Sequence, residues 1–199
     1  MAFLGFKVPA DTAQLFKSID VPGHRESFSH ITVLNFGKEM DAKTLSRAME
    51  TAFDVASTMK PFTVRTDTVT CFPAGDDGVP IICPVQSDAI QGLWKRLGEA
   101  FDAAEIPFSK KFPVYRPHVT LAYADSPIVD RKIPLIEWGA HELILWGGDG
   151  GDRGVVVHMP FSLRAASGLR TYDLRKNLLA SRVVERFRGY CCSLGPARR

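Results

Sequence analysis

One short pattern occurs twice in this 199-residue chain, each time inside a β-prone run. Phe28-Ser29-His30-Ile31-Thr32-Val33-Leu34 and Arg116-Pro117-His118-Val119-Thr120-Leu121-Ala122 each hold a histidine, an apolar residue, a threonine and a second apolar residue. Side chains alternate faces along a strand. His30 and Thr32 therefore share one face, with Ile31 and Val33 on the other. His118 and Thr120 are set against Val119 and Leu121 in the same way. Each strand must bury its aliphatic face and present an imidazole beside a hydroxyl. If the two strands lie side by side, one cleft receives two imidazoles and two hydroxyls.

The rest of the chain supplies elements that can hold such strands. Ala2–Val8 reads as a strand and Asp11–Ile19 as a short helix with Leu15, Phe16 and Ile19 at helical spacing. His24–Ser29 is a polar approach to the β-prone run Ile31–Phe36. Asp41 can cap a helix carrying Leu45, Met49, Phe53 and Ala56 on one stripe. Phe62–Cys71, rich in Thr and Val, and Val79–Val85 form a hairpin across the turn Pro73–Gly78. Asp88 begins a helix with Ile90, Leu93, Leu97, Phe101 and Ala104 in step, and Val119–Tyr123 is the next strand. Ala140–Trp146 and Gly154–Phe161 read as a hairpin joined by the glycine-rich turn Gly147–Gly151. Hairpins mixed with helices over short connections predict an α+β fold with antiparallel sheets.

The chemistry open to two imidazoles and two hydroxyls suits a phosphodiester. Neutral imidazole takes a proton from an attacking water or hydroxyl, and imidazolium gives one to the leaving oxygen. Both forms are accessible near neutrality, because unperturbed histidine titrates near pH ~6.5. Placed acid–base groups contribute on the order of 10²–10⁴-fold in rate. The threonine hydroxyls can hold the non-bridging phosphate oxygens. No divalent metal or other cofactor is needed for this scheme. A single H-x-T copy is also what a satisfied histidine in a half-buried strand looks like; two copies in matching strands turn the balance towards a site.

With this pair of motifs the chain resembles the 2H phosphoesterase superfamily, which includes 2′-5′ RNA ligases and cyclic phosphodiesterases. The family signature is a pair of H-x-T-h motifs, h being apolar, here His30-Ile31-Thr32-Val33 and His118-Val119-Thr120-Leu121. The Arg116-Pro117 lead-in also looks like the ligase-type branch. The resemblance covers residues 1–163. It implies two lobes related by a pseudo-twofold axis, with antiparallel sheets lining a central cleft and helices outside. It implies that His30 and His118 are catalytic and that Thr32 and Thr120 bind substrate. Tyr115, Arg116 and Tyr123 flank the second motif and are candidates for contact with base or phosphate, although packing accounts for them equally. The implied substrates are ribonucleotide phosphodiesters: a 2′,3′-cyclic phosphate, a 2′-5′ oligoadenylate or a cyclic oligonucleotide. The alternative is a binding module that holds a nucleotide or RNA end in the same cleft without turnover.

Other features bear on partners and setting. Residues 164–199 carry nine basic residues and two acids, 9 − 2 = +7, so residues 1–163 carry 3 − 7 = −4. A basic extension on a mildly acidic body is expected to contact nucleic acid or an acidic protein, or to be a solvated basic helix over Leu169–Phe187 followed by a disordered end. No apolar run reaches the roughly 18 residues of a spanning helix, so no membrane contact is expected. Met1–Val8 lacks the basic start and length of a secretion signal. The four cysteines show no metal pattern and are expected to be reduced, which favours a cytoplasmic setting. His24, His141 and His158 show no metal-ligand spacing. Gly147–Asp152 lacks the Lys-Ser/Thr of a phosphate loop and reads as a turn.

Overall fold

The computed structural model describes residues 2–37, 40–147 and 157–162, the last stretch as backbone. By its internal contacts the chain parts into Met1–Ala165 and Ala166–Arg199. The second unit, with the expected basic extension and its helix, lies outside the described residues. So does most of the glycine-rich turn.

The elements run in the order β1 (Phe3–Lys7), α1 (Ala10–Ser18), β2 (His24–Arg25), β3 (His30–Asn35), α2 (Ala42–Ser57), β4 (Phe62–Cys71), β5 (Val79–Pro84), α3 (Asp88–Ala103), β6 (His118–Ala124), β7 (Arg131–Ala140), β8 (Glu142–Gly147) and β9 (Val157–Ser162). They build two sheets, β3-β1-β8-β9 and β2-β6-β5-β4-β7, with every pairing antiparallel. Helices α2 and α3 pack on each other and against β9 and β3, while α1 packs on β7. The fold is α+β, with antiparallel sheets and helices outside. The sheets meet where edge strand β3 lies beside β6.

The helices form where the apolar spacing and caps place them. The Asp41 carboxylate accepts the Thr44 amide at 2.8 Å and stops α2 at its N-terminus. Along α3, Ile90, Leu93, Leu97 and Phe101 fall on one stripe and are all fully buried. Phe101 meets Phe36 at 5.3 Å, joining α3 to the end of β3. Phe16 of α1 stands edge-on to Trp138 of β7 at 5.5 Å. Two strands depart from the sequence expectation. β2 is only two residues long, and its register partners are Tyr123 and Ala122 of β6. β7 begins with two basic residues and carries the exposed Pro134 and Leu135, and its second half alternates, with Ile136, Trp138 and Ala140 buried. It pairs as an edge strand, and its proline falls where the register with β4 breaks.

The two motif strands share a departure from regular geometry. Between β1 and β3 the register steps from Leu4↔Leu34 to Gly5↔Thr32, which leaves Val33 as an extra residue. Between β5 and β6 it steps from Ile81↔Ala122 to Ile82↔Thr120, which leaves Leu121 as the extra residue. Each motif therefore carries a β-bulge at its fourth position, one residue past the threonine. The burial patterns agree: Val33 and Leu34 are both buried, as are Leu121 and Ala122. A bulge lets two consecutive side chains enter one core and turns the strand beyond it. The first bulge depends on Gly5. A Cβ there would stand 2.3 Å from the Ile31 carbonyl oxygen and 3.3 Å from the Thr32 Cα, both backbone atoms.

Replacing Gly5 with alanine should therefore force β3 away at its motif. We expect a loss of roughly 1–3 kcal/mol in chemical denaturation together with reduced activity. Gly92, in α3, has nothing within 4 Å of an added Cβ. Gly92→Ala should instead stabilise by about 0.5–1 kcal/mol.

Candidate active site

The two motifs are held by matching sets of contacts. At the start of β3, His30 Nδ1 lies 2.9 Å from the Phe28 carbonyl oxygen; at the start of β6, His118 Nδ1 lies 2.7 Å from that of Arg116. A carbonyl only accepts, so each Nδ1 carries a proton and donates it, and in the neutral ring each Nε2 keeps its lone pair. The ladder continues past each histidine by one bond: Val8 N to Ser29 O at 3.1 Å, and Val85 N to Pro117 O at 2.8 Å. Lys7 is the register partner of His30 and Pro84 that of His118. An aromatic ring from two strands away in the sheet approaches each imidazole. Trp146 of β8 stands 6.3 Å from His30, and Phe72, just past β4, stands 4.8 Å edge-on to His118.

Thr32 and Thr120 are half-buried on the face of their strands that carries the histidines, while Ile31 and Val119 are fully buried behind them. The histidines also act on one another. The charge of His30 opposes protonation of His118, so the two rings share one electrostatic field. Desolvation is the larger influence and drives the His118 pKa below its ordinary value; the Arg116 carbonyl pulls the other way. His118 is thus neutral more of the time than an exposed histidine at the same pH.

The three flanking candidates take separate places. Tyr115 donates its hydroxyl to the Thr32 carbonyl at 3.0 Å, tying the segment before β6 to edge strand β3. Its ring stacks on Trp94 of α3 at 5.4 Å and 13°, and burial keeps its phenol protonated and donating. Arg116 holds His118 by its backbone, and its exposed side chain lines a hollow beside that histidine. Tyr123 lies five residues beyond His118, past the bulge, paired with His24 and Pro80. Burial and the nearby carboxylates of Glu26 and Asp77 raise its pKa. That neighbourhood is less suited to a phosphate than the histidine end of the strand.

Sequence reasoning did not single out the rings around the histidines. Phe28 stacks on His30 at 5.1 Å and 17°, Phe3 lies 5.1 Å from His30, and Phe3 stacks on Trp146 at 4.8 Å. Only Phe28 left a trace in the chain, since it stands two residues before His30 as Arg116 stands before His118. Trp146 and Phe72 reach their histidines through the sheets. Among the described residues, no three His, Cys, Asp or Glu side chains gather where they could hold a metal ion. Cys71 is half-buried and Cys83 buried, and both are free thiols; burial raises the Cys83 pKa to about 12. None of the described helices is long and apolar enough to cross a membrane.

Comparisons with known proteins agree with this architecture. A family model described as the 2′-5′ RNA ligase superfamily matches residues 7–152. No curated protein matches the chain. Among solved structures, TT0787 of Thermus thermophilus is similar, with a TM-score of 0.63 at 19% identity over 83% of this chain and 99% of its own. Escherichia coli LigT complexed with 3′-AMP has a TM-score of 0.61 at 17% identity over 80% of this chain and 93% of its own. A protein described only as a phosphoesterase has a TM-score of 0.64 at 16% identity over 81% of this chain and 97% of its own. At these identities the shared property is the fold.

Two outcomes follow from these contacts. Tyr115→Phe removes the hydroxyl from the Thr32 carbonyl and should cost about 0.5–1.5 kcal/mol of stability, with a fall in turnover as β3 loosens. Because folded His118 binds its proton less readily than the unfolded ring, the unfolded state takes up more protons as pH drops through 6.5. The contribution of His118 to stability is therefore complete above pH 6.5 and declines as pH falls towards its folded pKa. Denaturation curves from neutral to mildly acidic pH should show this slope, and His118→Asn should flatten it.

Proposed function

We propose that this chain, which belongs to the 2′-5′ RNA ligase superfamily, is a metal-independent phosphodiesterase acting on ribonucleotide phosphodiesters. The observation that carries the reading is the twin arrangement of the histidines. Each is held by Nδ1 on the carbonyl two residues before it, which leaves each Nε2 free of that bond, and the charge of His30 bears on the protonation of His118. The nucleotides seen with LigT, which include 3′-AMP, ATP and NADP+, support a nucleotide as the ligand class.

In the reaction, a water or neighbouring ribose hydroxyl attacks phosphorus. The Nε2 of one histidine takes the proton of the attacking oxygen. The other histidine, protonated, gives its proton to the ribose oxygen whose bond to phosphorus breaks. The first imidazole ends charged and the second neutral, and exchange with solvent resets them. The neutral state of His118 favours it as the base, with His30 as the acid. The Thr32 and Thr120 hydroxyls, on the same faces, donate to the non-bridging oxygens, where negative charge must be held. Residues 164–199, carrying +7, complement this chemistry as an electrostatic contact for RNA, whose binding weakens with salt.

His30→Ala and His118→Ala should each lower kcat by at least about 10²-fold with melting temperatures close to that of the unaltered protein. Activity retained in either clean single variant would defeat the assignment. The chain should turn over equally well with and without EDTA, and strong inhibition by the chelator would point to metal chemistry instead. With His118 as base, the ascending limb of kcat/KM against pH should have its midpoint below 6.5.

A further inference from the structure

The His30 imidazole lies among aromatic rings, and one of them belongs to the residue whose carbonyl also holds it. We propose that Phe28 is a positioning residue for the reaction, fixing the plane of the His30 ring with its side chain and the free nitrogen with its backbone. The proposal rests on the phosphodiesterase reading above and adds to it a residue that acts only through the histidine.

The two contacts settle different things. The outer torsion of a histidine side chain is broad and roughly two-fold. An imidazole must therefore take one plane, and then one of two flips within it. The Phe28 ring lies 5.1 Å from the His30 ring at 17°. Such a stack selects the plane but accepts either flip, because turning the ring over still presents a flat face. The Phe28 carbonyl, 2.9 Å from Nδ1, selects the flip. A half turn would set a C–H against that carbonyl in place of the N–H. Together the contacts keep Nε2 in one place and free of the bond to Phe28.

Phe28 is itself held. It precedes β3 and is half-buried. Trp146 of β8 meets it edge-on at 5.5 Å and 69°, and stacks on Phe3 of β1 at 4.8 Å and 23°. Phe3 in turn lies 5.1 Å from His30 at 34°. The four rings close a circuit in which Trp146 braces both phenylalanines and both phenylalanines reach the imidazole. The Lys7 ammonium, across the ladder from His30, lies 6.0 Å from the Phe28 ring centroid.

His118 has only half of this device. The residue two before it is Arg116, whose carbonyl makes the matching bond but whose side chain brings no ring. Its aromatic neighbour, Phe72, stands edge-on at 82° and comes from just past β4. The influence of Phe28 is therefore confined to one histidine, and the other serves as an internal control.

The test uses the full chain with Phe28→Leu, which removes the ring but keeps apolar bulk, and Phe28→Tyr, which keeps the ring. Imidazole nitrogen NMR at mildly alkaline pH should show neutral His30 protonated at Nδ1 in the unaltered protein and in Phe28→Tyr. In Phe28→Leu the two tautomers of His30 should mix, while the His118 nitrogens stay where they were. With 2′,3′-cyclic AMP as substrate, Phe28→Leu should lower kcat by roughly 10–10²-fold, as misplaced reacting groups do, with KM within about twofold. Phe28→Tyr should hold kcat within about threefold of the unaltered protein. A kcat undiminished in Phe28→Leu, or a fall that Phe28→Tyr shares, would overturn the proposal. So would His30 nitrogens unmoved in Phe28→Leu, or His118 nitrogens that move as far. If the unaltered protein cleaves no diester, the phosphodiesterase reading fails and the nitrogen spectra alone decide. A His30 tautomer lost in Phe28→Leu and kept in Phe28→Tyr upholds the positioning role, and one kept in both refutes it.

Discussion

A strand cannot send two consecutive side chains into the same core unless it gains a residue. Both motif strands gain one, at Val33 and at Leu121. Ahead of each bulge the alternation is strict, so histidine and threonine share a face and the residue between them is buried. Beyond it the strand turns and anchors through Leu34 or Ala122. The bulge therefore separates the part of the strand that presents chemistry from the part that holds it in place. At the first site Gly5 makes the bulge possible by giving up its side chain to the Ile31 carbonyl. At the second, the Leu121 carbonyl accepts the Glu26 amide at 2.9 Å, which extends the β2–β6 ladder by one bond. Buried backbone groups need partners, and the two-residue strand β2 with Glu26 supplies them along the edge of β6 away from β5.

The backbone also sets the tautomers. Both rings are pinned by carbonyls two residues upstream, so neither depends on a carboxylate to orient it. A carboxylate partner would hold an imidazole charged. A carbonyl orients the ring with a much smaller pull on its proton, which leaves burial and the second histidine to decide the charge of His118. The charge of His30 adds to burial in opposing a proton on His118, against the weaker pull of the Arg116 carbonyl.

Much of this was legible in the chain because it is local. The H-x-T repeat, the Asp41 cap, the Ile90–Phe101 stripe and the Phe62–Cys71 strand each rest on residues a few positions apart. The sheet order does not, and neither do the contacts made through it. Phe72 and Trp146 meet the histidines only after strands distant in sequence have paired. Arg131–Ala140 escaped notice because an edge strand with a register break can carry proline and charge where a central strand cannot. The bulges are cryptic for a related reason. Val33-Leu34 and Leu121-Ala122 read as apolar pairs ending a strand, and only the partner's register shows that one member of each is extra. Tyr115 illustrates the limit at the site. Its place next to the second motif was visible, but its commitment to the Thr32 carbonyl and the Trp94 ring depends on β3 and α3 arriving beside it.

The near-symmetry of the machinery makes its departures informative. Carbonyl, bulge, threonine and bracing ring recur in both halves. The surroundings do not recur. His30 is enclosed by Phe28, Phe3 and Trp146, with Lys7 across the ladder and its ammonium 6.0 Å from the Phe28 ring centroid. His118 instead meets Phe72, whose other neighbours line a hollow with the Thr70 hydroxyl, the Gln91 amide and the Arg116 guanidinium at its margin. The repeated parts are held by backbone close to each motif, whereas the flanking rings and charges come from strands and loops that differ between the two sheets, so the likeness of the two halves ends where the motifs end.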